Sequence, residues 1–204
     1  MQAAFLFLRT GRQHLQIERP AVKVKASALL LVLMIAFAPV AWATTARLLS
    51  NQALATEADM IVIGRCVDVR TRWVGRTLVT AATVEVKESL RGGGSTVTVM
   101  IPGGADANRA VPVMMTFAGA PSIASGEDVF LFLQDESATL GGYTILGFSQ
   151  GKFSIMTDPS GQTVVSRDLT TINLQRGTGV ARGTRTLMRL QEFSEEIRGY
   201  LANR

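Results

Sequence analysis

Histidine and cysteine are almost missing: each occurs once in 204 residues, as His14 and Cys66. Past residue 43 there is therefore no imidazole to serve as a base, as partner to a nucleophile or as a metal ligand. A lone cysteine cannot close an internal disulfide, so even in an oxidising compartment stability must come from burial. No His-x-x-x-His, Cys-x-x-Cys or Asp-x-Asp-x-Asp-Gly pattern is present, and neither a metal nor another cofactor is expected. Long apolar runs are lacking as well. The uninterrupted stretch at residues 28–38 is about 11 residues, against roughly 20 for a membrane-spanning helix. The charge is also less basic than its total of +5. Residues 1–43 hold five of the 21 basic residues and one of the 16 acidic ones, which leaves 16 against 15 in the remainder. A nucleic-acid partner loses its electrostatic basis.

What is present begins with a leader. A basic segment precedes the apolar run at 26–43, which ends in Ala41-Trp42-Ala43, and small residues at −3 and −1 suit signal peptidase. Residues 1–43 are read as a signal peptide cleaved before Thr44, giving an exported chain, periplasmic or extracellular, with no membrane span after cleavage. Removing 43 residues leaves 161 of the 204, enough for one domain with a proper core.

Residues 44–57 form a mixed lead-in. From residue 58 the pattern is strand. Met60-Ile61-Val62-Ile63-Gly64-Arg65-Cys66-Val67-Asp68-Val69 is dense in β-branched residues, and Ile61, Ile63, Val67 and Val69 share one parity. Gly64 inside such a run marks a bulge or bend. Cys66 there reads as a packed small apolar side chain rather than a reactive thiol. Val74-Gly75-Arg76 supplies a turn, and alternation resumes through Leu78, Thr80, Ala82, Val84 and Val86. Gly92-Gly93-Gly94 is followed by another strand, not a helix, so it is a hairpin turn and not a phosphate cradle. Further strands are expected around Val113, over the doubly apolar Val129-Phe130-Leu131-Phe132-Leu133, from Tyr143 to Met156, and at Thr163-Val164-Val165 after the Asp158-Pro159-Ser160-Gly161 turn. The barrel domain is placed at 58–166, a loop at 167–183, and a helix at 184–203 capped by Thr184 or Thr186, with Leu187, Leu190, Phe193, Ile197 and Leu201 as its apolar stripe. The fold class is mainly β: a small closed or partly open antiparallel barrel, OB-like, with one C-terminal α-helix.

Catalytic chemistry finds little support. Glu127-Asp128 and Asp135-Glu136 read as solvated strand ends, and a Ser–Lys dyad has only Lys87 or Lys152 to draw on, neither in a Ser-x-x-Lys helix. The chain is expected not to be an enzyme. The exposed cluster that stands out is the first hairpin tip. Arg70 and Arg72 share a face, Arg76 lies across the turn, and Trp73 takes the opposite parity. Basic residues beside an aromatic can grip phosphate, a sulfated sugar or an acidic protein surface; a solvated hairpin whose tryptophan folds back on the barrel is the plainer reading.

The strand at 58–67, together with the segments 83–92, Ile101-Pro102-Gly103-Gly104, 126–133 and 147–153, resembles netrin-like modules and tissue inhibitors of metalloproteinases. It also resembles a group of exported bacterial proteins with such a barrel. The resemblance spans roughly residues 58–166 and implies an OB-type barrel. It also implies a secreted protease as partner, approached through the free amine of Thr44. The inhibitors carry a disulfide-locked cysteine at that terminus, whereas this chain has Thr44 and no disulfide. The expected function is an exported, non-enzymatic binding module acting on a protein or an envelope component. Alternatives are a modulator of a secreted metalloprotease and a polyanion or saccharide binder using the 70–76 hairpin.

Overall fold

The computed structural model describes residues 45–176 and 179–203. The proposed signal peptide and Thr44 lie outside the described residues. The element order is β1 (Thr45–Arg47), α1 (Asn51–Glu57), β2 (Met60–Val74), β3 (Thr77–Arg91), β4 (Thr96–Pro102), β5 (Gly104–Asp106), β6 (Val113–Met115), β7 (Asp128–Asp135), α2 (Ser137–Leu140), β8 (Tyr143–Ile145), β9 (Lys152–Thr157), β10 (Thr163–Asp168), β11 (Asn173–Arg176), β12 (Gly179–Arg182), β13 (Arg185–Arg189) and α3 (Leu190–Ala202).

Eight strands form one sheet in the order β13-β10-β9-β7-β2-β3-β4-β8, and β7 also pairs with β8. The sheet thus returns on itself, and β7, β2, β3, β4 and β8 make a partly closed five-strand ring, as the sequence led one to expect. The ring is weakest where β4 meets β8 in parallel, with Val99 opposite Tyr143. Strands β9, β10 and β13 extend the sheet beyond it.

β2 bends to serve both the ring and the hairpin. Its register with β3 shifts between Ile61 and Val62, between Ile63 and Gly64, and between Cys66 and Asp68. Such bulges bend a strand and raise its twist. Gly64 fits its position because a Cβ there would stand 2.3 Å from the Glu85 carbonyl oxygen. The same bulges break the single apolar row expected for this strand. Met60, Val62 and Cys66 face the ring interior, Ile61 and Ile63 face the opposite layer, and Val67 and Val69 are exposed. Cys66 is fully buried, and burial pushes its thiol pKa up.

Two hydrophobic layers result. Inside the ring lie Val84, Val99, Val129, Leu131 and Leu133 with their neighbours. On the other side of β7, Phe130 and Phe132 meet Phe153 of β9 and Phe193 of α3, with ring centroids 4.9 Å apart for Phe130–Phe193 and 4.6 Å for Phe153–Phe193. α1, capped by Ser50 Oγ accepting from the Ala53 N–H, adds Leu54 and Ala55 to this layer.

Two expectations need correction. Residues 167–183, expected to be a loop, carry the end of β10 and the β11–β12 ribbon, which β1 joins in parallel. Its apolar content is too slight to announce strands: Leu174 is the buried side chain of that ribbon. The terminal helix begins at Leu190, not near residue 184. Residues 185–189 instead pair with β10, whose edge would otherwise leave backbone donors and acceptors unmatched. Leu187 is 58% exposed and outside the stripe, and Thr186 caps nothing. The docking stripe is Leu190, Phe193, Ile197 and Leu201.

Candidate functional site

The β2–β3 hairpin carries the arginines expected at its tip, and the structure uses them differently. Arg70 Nε pairs with Asp68 at 2.8 Å on an exposed surface. Arg72 folds across to α2, where Nη2 donates to the Leu140 carbonyl at 2.7 Å and lies 3.8 Å from Met100 Sδ. Trp73 is drawn to β5, its Nε1 donating to Asp106 Oδ2 at 2.8 Å, and Arg109 covers the ring 4.6 Å from its centroid. That indole bond, followed by the Asn108 N–H, holds the Asp106 carboxyl below its usual pKa. Arg76 stands exposed at the turn. The four expected residues therefore share one hairpin without forming one converging cluster. Arg109 and Asp106, from the next ribbon, join Trp73 in a way the sequence did not signal, being more than thirty positions away.

Beneath the hairpin lies a cavity of about 420 Å3 with mostly apolar walls, including Val74, Val79, Met100, Ile145 and Phe148. Arg72 binds two of its wall residues, Leu140 and Met100, and Arg76 sits between Val74 and Thr77, which also line it. One wall is strained. Phe148 has φ of 66°, a left-handed backbone for a non-glycine residue, and is 38% exposed. Strain of that kind costs on the order of 1–2 kcal/mol and gathers at working sites.

A second, polar cavity of about 350 Å3 lies on the sheet extension, where Lys152 and Ser154 of β9, Ser166 and Asp168 of β10 and Arg185 of β13 line it. Glu127, expected as a solvated strand end, instead forms a shielded ion pair: Lys152 Nζ lies 2.6 Å from Glu127 Oε1, with side chains 16% and 21% exposed. Ser154 Oγ bridges them, accepting from Lys152 at 2.7 Å and donating to Glu127 at 2.7 Å. Burial raises the Glu127 pKa, but the bonds from Lys152, the Ala124 N–H and Ser154 outweigh it, and the net shift is downward. Lys152 Nζ and Ser154 Oγ thus both donate to the same oxygen of Glu127. The available signal was Lys152-x-Ser154, two side chains on one face of a strand; their meeting with Glu127 needs the β7–β9 pairing.

Among the described residues no cluster of three or more His, Cys, Asp or Glu could hold a metal ion. No described helix is long and apolar enough to cross a membrane. Comparisons with protein-family models, with curated proteins and with solved structures return no match to this chain.

Proposed function

We propose that this chain is an exported, non-enzymatic binding module that holds an amphipathic component of the cell envelope at the mouth of the ring, beneath the β2–β3 hairpin. The ligand class is an apolar chain ending in an anionic group. The observation that carries this reading is an apolar cavity of about 420 Å3 with two arginines at its rim, Arg72 bonded to the wall residues Leu140 and Met100 and Arg76 beside Val74 and Thr77 in the chain. Arg70 and Arg109 are paired with Asp68 and Asp106, whereas Arg72 and Arg76 make no ion pair among the described residues and leave positive charge at the rim. Burying a chain in the cavity removes apolar surface from water, and the rim offers charge-assisted bonds to the head group.

Trp73 is the sole tryptophan beyond residue 43, which makes its emission a clean reporter. Titration with dodecanoate, dodecanol and a soluble polyanion separates the contributions. Dodecanoate is expected to bind with one site, weakening as salt rises. Arg72→Gln combined with Arg76→Gln should weaken it about tenfold or more, since a bond to a charged group contributes about 1.5–3 kcal/mol. Equal binding of the polyanion would favour a surface polyanion binder on the exposed Arg70 and Arg76, and the absence of saturable dodecanoate binding would end the proposal.

A further inference from the structure

The polar cavity on the sheet extension belongs to none of this, and its hydrogen-bond accounting is uneven. Two carboxylates, Asp168 in its lining and Glu127 bonded to the lining residues Lys152 and Ser154, are nearly saturated. Glu127 Oε1 accepts from Lys152 and Ser154, and Oε2 accepts from the Ala124 N–H at 2.9 Å. Asp168 Oδ1 accepts from Thr170 N and Oγ1 at 3.0 and 2.6 Å, and Oδ2 accepts from Arg185 Nε at 3.0 Å and from Arg185 Nη2. A carboxylate offers about four lone-pair sites, so three are taken on Glu127 and all four on Asp168.

The donors are not matched in the same way. Among the described residues, Lys152 uses two of its three hydrogens and Arg185 leaves its Nη1 group uncommitted. Ser149 and Ser166 are each 7% exposed and line the cavity, and Ser149 Oγ is closed to solvent with no hydrogen-bond partner. A buried polar atom left unpaired is destabilising, and native structures rarely keep one without water or a ligand to complete it. The volume would hold roughly ten water-sized groups at ~30 Å3 each, more than one bridging water needs.

We propose that this cavity is a second binding site, for a small organic oxyanion such as a sugar acid or a comparable carboxylate. It would be held by the free donors of Lys152 and Arg185, with Ser149 in the wall. A neutral sugar fits less well, because it carries no charge to set against the two cations and most lone-pair sites of Glu127 and Asp168 are taken. Both carboxylates lie below their usual pKa, so they remain charged at neutral pH and keep the two cations in place.

Calorimetric titration of the full chain with glucuronate, and with glucose as the uncharged match, tests the site. Glucuronate is expected to bind one to one with Kd of about 1 mM or tighter, and glucose at least tenfold more weakly. Arg185→Gln should weaken glucuronate about tenfold with the melting curve little changed, whereas Arg72→Gln should leave it as it was. Equal affinity for glucose, no glucuronate binding, or a loss caused by Arg72→Gln and not by Arg185→Gln would overturn the assignment. Because Arg72 belongs to the ring mouth, failure here leaves the dodecanoate test standing, and the reverse holds too.

Discussion

One strand, β7, faces two hydrophobic layers and serves them with different residues. Val129, Leu131 and Leu133 point into the five-strand ring, while Phe130 and Phe132 point to the layer covered by α3. Among the described residues the ring interior buries no phenylalanine; the outer layer concentrates Phe130, Phe132, Phe153 and Phe193. A ring of five strands encloses little space, so mostly aliphatic side chains fill it at close packing, and Tyr143 packs against them only partly buried. A helix laid on a sheet leaves a wider gap, which flat rings fill in edge-to-face and tilted contacts. The contrast also bears on the cavities: neither lining includes a phenylalanine of the outer layer.

The largest expected effect tests the outer layer. Phe193 is fully buried and touches Phe130, Phe132 and Phe153. Phe193→Ala should cost about 3–5 kcal/mol in urea unfolding, by lost transfer energy and the void left behind. A loss under about 1 kcal/mol would mean that α3 is not the cover of this layer. The ring should show the opposite sensitivity. Leu131→Phe adds volume where none is free and should cost about 1–3 kcal/mol through strain. Tolerance of that substitution would show that the ring has slack, and the contrast between the layers would fall.

Smaller in size but fixed in sign is the effect of the Lys152–Glu127 pair at the ring's border. The folded-state pKa of Glu127 is depressed, so its contribution is present above the unfolded value of about 4.3 and is lost as pH falls through the folded value. Glu127→Gln should therefore be less stable than the parent at pH 7, with the gap closing below about pH 4. Asp168 titrates low in both proteins and cancels from the difference. A gap that stays constant down to pH 3 would show that packing, not charge, explains the loss.

The ring was legible because its signals are local: β-branched alternation, glycine at a bulge, and turn residues after β2, β3 and β4. The β13 strand was not legible. Thr186, Leu187 and Met188 fit a helical stripe as well as a strand, and only the open edge of β10 decides between them. The hairpin arginines were visible as a cluster along the chain, yet Arg72 binding Leu140 and Trp73 binding Asp106 depend on partners brought in by tertiary pairing. The polar cavity was hidden for the same reason. Its residues come from β9, β10, β13 and the segment before β7, and none carries a motif by itself.

Phe148 completes the comparison, as an aromatic that belongs to neither layer. It sits at the ring mouth with φ of 66°, lining the apolar cavity. If it were there for packing, replacing it would cost stability as the buried phenylalanines do. Phe148→Gly removes the left-handed strain, about 1–2 kcal/mol, and adds chain entropy to the unfolded state at about 0.5–1 kcal/mol. With the small packing loss of a part-exposed ring, the terms nearly cancel. The thermal midpoint should move little, within about 1 kcal/mol of stability, while dodecanoate affinity falls severalfold. A strong destabilisation instead would make Phe148 a structural member of the turn, and its strained backbone would then need another cause.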